Sequence, residues 1–161
     1  MSNKLEISQL EIIRRIPLIN AAFGILPVAS FWDTAPTNLL NCTDNNLNSV
    51  TGTGTSTVGA AAIFGRLSIS LPSSDIYLLG GKVGVWSSTG AITIRWESTP
   101  DGITSAFNGV AALSNISTTE QVLNIIPIII NGNIFNISFR AGSALTGNVK
   151  IYELWAFFLG L

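Results

Sequence analysis

The chain has 161 residues, 47% hydrophobic and only 11% charged, with a formal net charge of −1. That length suits one domain with a core large enough to dispense with disulfides and metals. The near-zero charge excludes a nucleic-acid binder, which needs clustered Lys and Arg against phosphates, and the absence of histidine removes the usual proton shuttle and the commonest metal ligand.

In chain order, residues 3–15 read as a helix of about three turns. Leu5, Ile12 and Ile16 share one face, while Leu10 and Ile13 spread apolar surface onto others. A helix apolar nearly all round must be covered, and Pro17 stops it. Residues 1–30 are therefore expected to form an N-terminal helix and apolar arm. The arm packs either under its own domain or on neighbouring copies. In the second case Leu5, Leu10, Ile12, Ile13 and Ile16 form the oligomer interface. The run 16–30 has the look of a signal-peptide core, but Glu6 and Glu11 sit in the would-be basic segment. Pro17 and Pro27 break the run, and it falls short of the ~20 residues a span requires. Neither a processed signal nor a membrane span is expected.

From residue 28 the texture turns to β. The segment 61–71 ends in alternation, with Leu67, Ile69 and Leu71 on one face. A strand at 82–86 follows. In the next, 92–97, Ile92, Ile94 and Trp96 face in, and Thr93, Arg95 and Glu97 face out. Strands at 122–130 and 133–140 flank Asn131-Gly132, the strongest short hairpin signal in the chain. Pro127 marks an edge or a bulge. The last strand is 148–159, and the Gly/Thr alternation of 51–57 reads as a flexible loop or an edge strand. The expected fold is all-β: an antiparallel β-sandwich of jelly-roll type over 31–161, preceded by the short helix or arm.

The residues that carry chemistry are few. Nothing among the acids singles out the carboxylate pair that glycoside hydrolysis needs. No phosphate loop, nucleophile elbow or zinc motif is present. The single cysteine, Cys42, has no histidine to activate it. No enzyme and no catalytic residue are expected. Asn41, Asp44, Asn45, Asn46 and Asn48 offer oxygens for a weak calcium site near Asp44, but an Asx-turn loop is the ordinary reading, and no cofactor is expected. A surface dominated by Ser, Thr, Asn, Gly and apolar groups suits an assembly, or a neutral partner such as a sugar. Trp32 beside Asp33 is either a sugar-stacking platform or a plug at the end of the sandwich. The candidate ligand-binding set is Trp32, Asp33, Asn41, Asp44, Asn46 and Asp101.

Four separated strings resemble one family. The loop 41–51, Asn-Cys-Thr-Asp-Asn-Asn-Leu-Asn-Ser-Val-Thr, is similar to the opening loop of discoidin-like, galactose-binding-like jelly rolls. The segments 65–71 and 82–86 resemble their paired strands. The segment 96–102 resembles their Asp-Gly turn, and 147–157 their closing strand. In order, these span roughly 31–159. Asn45 stands where the family has Gly, Ser70 and Pro72 replace an Asp and a Gly, and Phe107 stands in for a missing Trp. The family's calcium loop would map to Asn41, Asp44 and Asn46. The wider texture is similar to phage virion appendages: fibres, receptor-binding tips and capsid decoration proteins, usually trimers. The resemblance implies a virion structural protein that assembles with itself, as a trimer, and with other virion proteins. The alternative is an extracellular carbohydrate-binding module or adhesin with a cell-surface glycan as partner.

Overall fold

The computed structural model describes residues 27–44, 48–99 and 106–159. The helix expected at 3–15, the interface residues Leu5, Leu10, Ile12, Ile13 and Ile16, and the site residues Asn46 and Asp101 lie outside them.

The described residues form seven strands: β1 (Val28–Ser30), β2 (Gly54–Val58), β3 (Ile63–Ser87), β4 (Ile92–Ser98), β5 (Ala106–Leu113), β6 (Ser117–Ala141) and β7 (Leu145–Phe158). All pairings are antiparallel, in the order β2-β7-β3-β6-β4-β5, with β1 on the other side of β3. The fold is the all-β antiparallel sandwich of jelly-roll type that the sequence pattern predicts.

The sheet curls on two long strands. The first part of β3, through Ser70, pairs with the second half of β6, and from Asp75 onward β3 pairs with the first half. One layer therefore holds β5, β4, the second half of β6, the first part of β3, and β1. The other holds the first half of β6, the rest of β3, β7, and β2. Asn131-Gly132 is the corner, not a hairpin turn. It runs inside β6 opposite Ile76 and Asp75, and Gly132 takes φ +145, a conformation that favours glycine. The expected hairpin fails because both flanking segments use β3 as partner and never each other. For the same reason 61–71 and 82–86 are parts of one strand. The stretch 51–57 overlaps the edge strand β2, which pairs with β7 along one side and meets Thr34 in a single bridge at Thr55 on the other. Pro127 lies where Leu79↔Ile128 gives way to Gly81↔Ile125, a bulge in a segment paired on one side only; proline's missing N–H is tolerated there.

Period-two alternation fills the space between the layers. Leu67, Ile69 and Leu71 from β3, Ile92, Ile94 and Trp96 from β4, Phe135, Ile137 and Phe139 from β6, and Val149 and Ile151 from β7 are all buried. Trp96 also ties the layers, its Nε1 donating to the Ile126 carbonyl at 3.0 Å. Glu97 departs from expectation. It lies on the outward row of β4 yet is buried, because Arg66 Nη2 donates to its Oε2 at 2.8 Å and Ser138 Oγ donates to the same oxygen at 2.9 Å. An outward position on a sheet is exposed only when its neighbours leave it so.

Candidate functional site

The sequence-selected residues divide by what the fold asks of them. The Trp32 ring is turned inward, 6.1 Å from Phe64 and 5.7 Å from Phe139 between ring centroids. It fills the space over Gly54 and Gly65, where a Cβ would overlap it, and its Nε1 donates to the Arg66 carbonyl at 3.3 Å. Trp32 thus packs as a plug between β3 and β2, on the side wall formed by β1 and β2. Asp33 holds β2 in place: its Oδ2 accepts the Thr57 N–H at 2.8 Å, and its own N–H donates to Ser56 Oγ at 2.7 Å. Asn41 Nδ2 donates to the Val50 carbonyl at 3.0 Å. Asp44 is exposed and close enough to Glu153 for its charge to be felt there. Among the described residues no three His, Cys, Asp or Glu side chains converge on a metal-sized site, and no helix is long and apolar enough to cross a membrane.

Cys42 is buried, and its Sγ donates to the Leu39 carbonyl at 3.0 Å. Burial, reinforced by the Asp44 charge, pushes the thiol up to about 12. The nucleophilic thiolate is therefore scarce at pH 8 as well as buried, so the folded protein is expected to resist iodoacetamide while the urea-unfolded chain reacts. Native alkylation at the unfolded rate would contradict this packing.

A different surface gathers polar and aromatic groups: the outer face of β3 and β7. On β7, Val149, Ile151, Leu154 and Ala156 point into the core, while Lys150, Tyr152, Trp155 and Phe157 alternate with them and are partly exposed. The register slips by one between Lys82↔Glu153 and Val83↔Ile151. This bulge puts Tyr152 and Glu153 side by side, as bulges re-aim side chains elsewhere. On the same face β3 carries Gly80 opposite Trp155 and Gly84 opposite Lys150. A Cβ at Gly80 would overlap the Trp155 indole, and one at Gly84 would overlap the Glu120 carboxylate. Glycine inside a strand weakens it and marks close approach. Here it lets a ring and a carboxylate lie down on the sheet.

The groups are bonded into a row. Glu120 Oε1 accepts the Tyr152 hydroxyl at 2.8 Å, and its Oε2 is 3.8 Å from Lys150 Nζ. Lys150 Nζ stands 5.8 Å from the centre of the Trp86 ring. At the other end Trp155 and Phe157 lean together with centroids 5.2 Å apart. Burial, then the hydrogen bond to Glu120 and its charge, pushes the Tyr152 phenol up. Glu153 is pushed up by burial and by Asp44, and Lys82 partly offsets this. The row from Trp86 to Trp155 follows six residues of β3, roughly 20 Å.

The sequence reading missed Trp86, Glu120, Lys150, Tyr152 and Trp155 as a set. The signal was present in Gly80 and Gly84, two in-strand glycines at even spacing, opposite a strand with alternating Lys150, Tyr152 and later Trp155.

No family model matches the chain, and no curated protein matches it either. Solved structures are similar to it in course. One is CBM32-3 from a family 31 glycoside hydrolase of Clostridium perfringens, at 11% identity and TM-score 0.44, covering 83% of this chain and 90% of that one. Another is chitosan-binding module 1 from a chitosanase/glucanase of Paenibacillus sp. IK-5, at 10% and 0.45, covering 88% and 98%. A third is a Clostridium perfringens module in complex with GalNAc-beta-1,3-galactose, at 13% and 0.43, covering 83% and 94%. With TM-scores below 0.5 the overlap is loose, and the functional reading rests on the residues of this chain alone.

Proposed function

We propose that the chain is a non-catalytic carbohydrate-binding module, acting outside the cell, that takes a neutral oligosaccharide along the outer face of β3 and β7. The observation that supports this best is the pair of clearances at Gly80 and Gly84, which lay Trp155 and Glu120 flat against the sheet. Aromatic rings at both ends of the row offer faces to the apolar C–H side of a sugar ring. Glu120, Tyr152, Lys150, Lys82 and Glu153 between them offer hydroxyl-sized hydrogen-bond partners of both kinds. A chain of net charge −1 gives no field that would select a polyanion. Absence of catalysis is supported by the buried thiol of Cys42 and by the lack of any histidine.

Calorimetric titration against a panel of neutral oligosaccharides tests the reading. At least one is expected to bind, and Trp155→Ala and Trp86→Ala are each expected to weaken it at least about tenfold with the fold intact. Binding untouched by both substitutions would sink the platform.

A second reading, a structural subunit of a virion that assembles with copies of itself and other virion proteins, is favoured by one observation: the exposed apolar side chains Phe107, Val110 and Leu113 along β5.

A further inference from the structure

The outer face of the other layer, away from the β3–β7 row, has a different chemistry. Its described strands carry three arginines, Arg66 on β3, Arg95 on β4 and Arg140 on β6, against one carboxylate, Glu97 on β4. The register puts Arg66 and Arg95 on either side of Ser138, two strands or roughly 10 Å apart at the backbone. Arg140 follows two residues beyond Ser138 on the same face.

The positive charge is unevenly matched. Arg66 Nη2 donates to Glu97 Oε2 at 2.8 Å, and Arg66 Nε donates to Ser138 Oγ at 3.1 Å. Arg140 Nη2 donates to the Ala61 carbonyl at 2.6 Å. Arg95 has no such partner. Its Nε is buried without a hydrogen bond, and among the described residues its guanidinium forms no ion pair. Buried donors left unpaired are rare in folded proteins. This one belongs to a planar fork of five N–H groups whose geometry matches a carboxylate.

Two exposed rings frame the arginines. Arg66 Cζ lies 4.9 Å from the centre of the Phe31 ring, and Arg95 Cζ lies 5.0 Å from that of Phe107. Phe107 in turn faces Glu97 across the β4–β5 ladder. Both guanidiniums therefore flank Glu97, and only Arg66 is bonded to it. Phe31 is 58% and Phe107 59% exposed. Phe31 also takes φ +66, a left-handed conformation that bulky side chains rarely adopt. Strain of this kind collects at ligand clamps.

We infer that this face is a second binding site, for an acidic sugar. Arg95 takes the carboxylate of a uronic acid residue, and the Phe107 ring beside it takes the C–H side of that sugar. Two guanidiniums flank one protein carboxylate, so a second carboxylate from the ligand completes the balance. The rings favour a carboxylate borne on a sugar over a small free anion, which leaves them bare. The overall charge of −1 gives no long-range pull on anions, so the selection is made at contact. The site lies on the opposite face from the β3–β7 row and does not depend on what that row binds.

Calorimetric titration of the full chain with a glucuronate-bearing disaccharide, its neutral methyl ester and sodium acetate tests this. The acid is expected to bind, more weakly as salt is raised, and the ester and acetate each at least about tenfold less tightly. Arg95→Gln is expected to weaken the acid at least about tenfold with the cooperative thermal transition retained. A second measurement needs no variant: the Arg95 Nε–H signal in a 15N-correlated spectrum is expected to move as the acid is added, whether or not the tryptophan signals move too. No binding of the acid, an ester or acetate that binds as tightly, an Arg95→Gln chain that binds as the wild type does, or an Arg95 signal that stays in place would each overturn the inference.

Discussion

Trp96→Ala is expected to cost about 3–5 kcal/mol of folding stability, the range for removing a large buried aromatic. Trp96 is 1% exposed and heads the fully buried side chains by volume. It stands at the centre of β4 between the two layers, so its loss leaves a cavity that the β-ladders around it restrain from collapsing. The loss is also polar. Without the indole N–H the Ile126 carbonyl loses the donor it has at 3.0 Å, a hydrogen bond worth about 0.5–1.5 kcal/mol net. Trp96→Phe separates the two contributions, because it keeps part of the volume and none of the hydrogen bond. Urea unfolding measures both. A loss below about 1 kcal/mol for Trp96→Ala would mean that Trp96 does not tie the layers together.

Glu97→Ala is expected to cost about 3–5 kcal/mol, the range for removing one partner of a buried ion pair. The carboxylate has 7% and the Arg66 side chain 16% of its surface exposed, so solvent replaces little of what is lost. Alanine leaves the Arg66 guanidinium without its counter-charge and the Ser138 hydroxyl without its acceptor. Glu97→Gln keeps the acceptor and is expected to cost less. Arg66→Met combined with Glu97→Leu is expected to recover most of the loss, since a well-packed apolar pair can replace a buried ion pair at little cost. If the double variant is as unstable as Glu97→Ala, the cost lies in packing and not in the unpaired charge. A double-mutant cycle in urea reads this directly.

The layer structure was legible because it depends on period two. Leu67, Ile69, Leu71, Ile92, Ile94 and Trp96 alternate with polar residues, and all are buried. Where the expectation failed, the deciding interaction was long-range. Asn131-Gly132 has hairpin composition, but a corner in a continuous strand also needs a positive φ, and only the partner strand distinguishes the two. Glu97 sits on an outward row, and nothing local reveals that Arg66, 31 residues away, meets it. Trp32 lies next to an aspartate as a binding tryptophan can, yet its ring fills the space left by Gly54 and Gly65. The platform was hardest to see. Its residues come from three strands, and Glu120 and Tyr152 are 32 positions apart. Only the pairing of β3 with β6 and β7 brings them together.

The four tryptophans make the central claim directly measurable. Each gives one indole N–H signal in a 15N-correlated NMR spectrum, and titration with an oligosaccharide that binds shows which of them the ligand reaches. The β3–β7 platform predicts that the Trp86 and Trp155 signals move with the ligand while those of Trp32 and Trp96 stay in place. Movement of Trp32 with Trp86 and Trp155 unchanged would place the ligand on the β1–β2 side of the sandwich and contradict the platform.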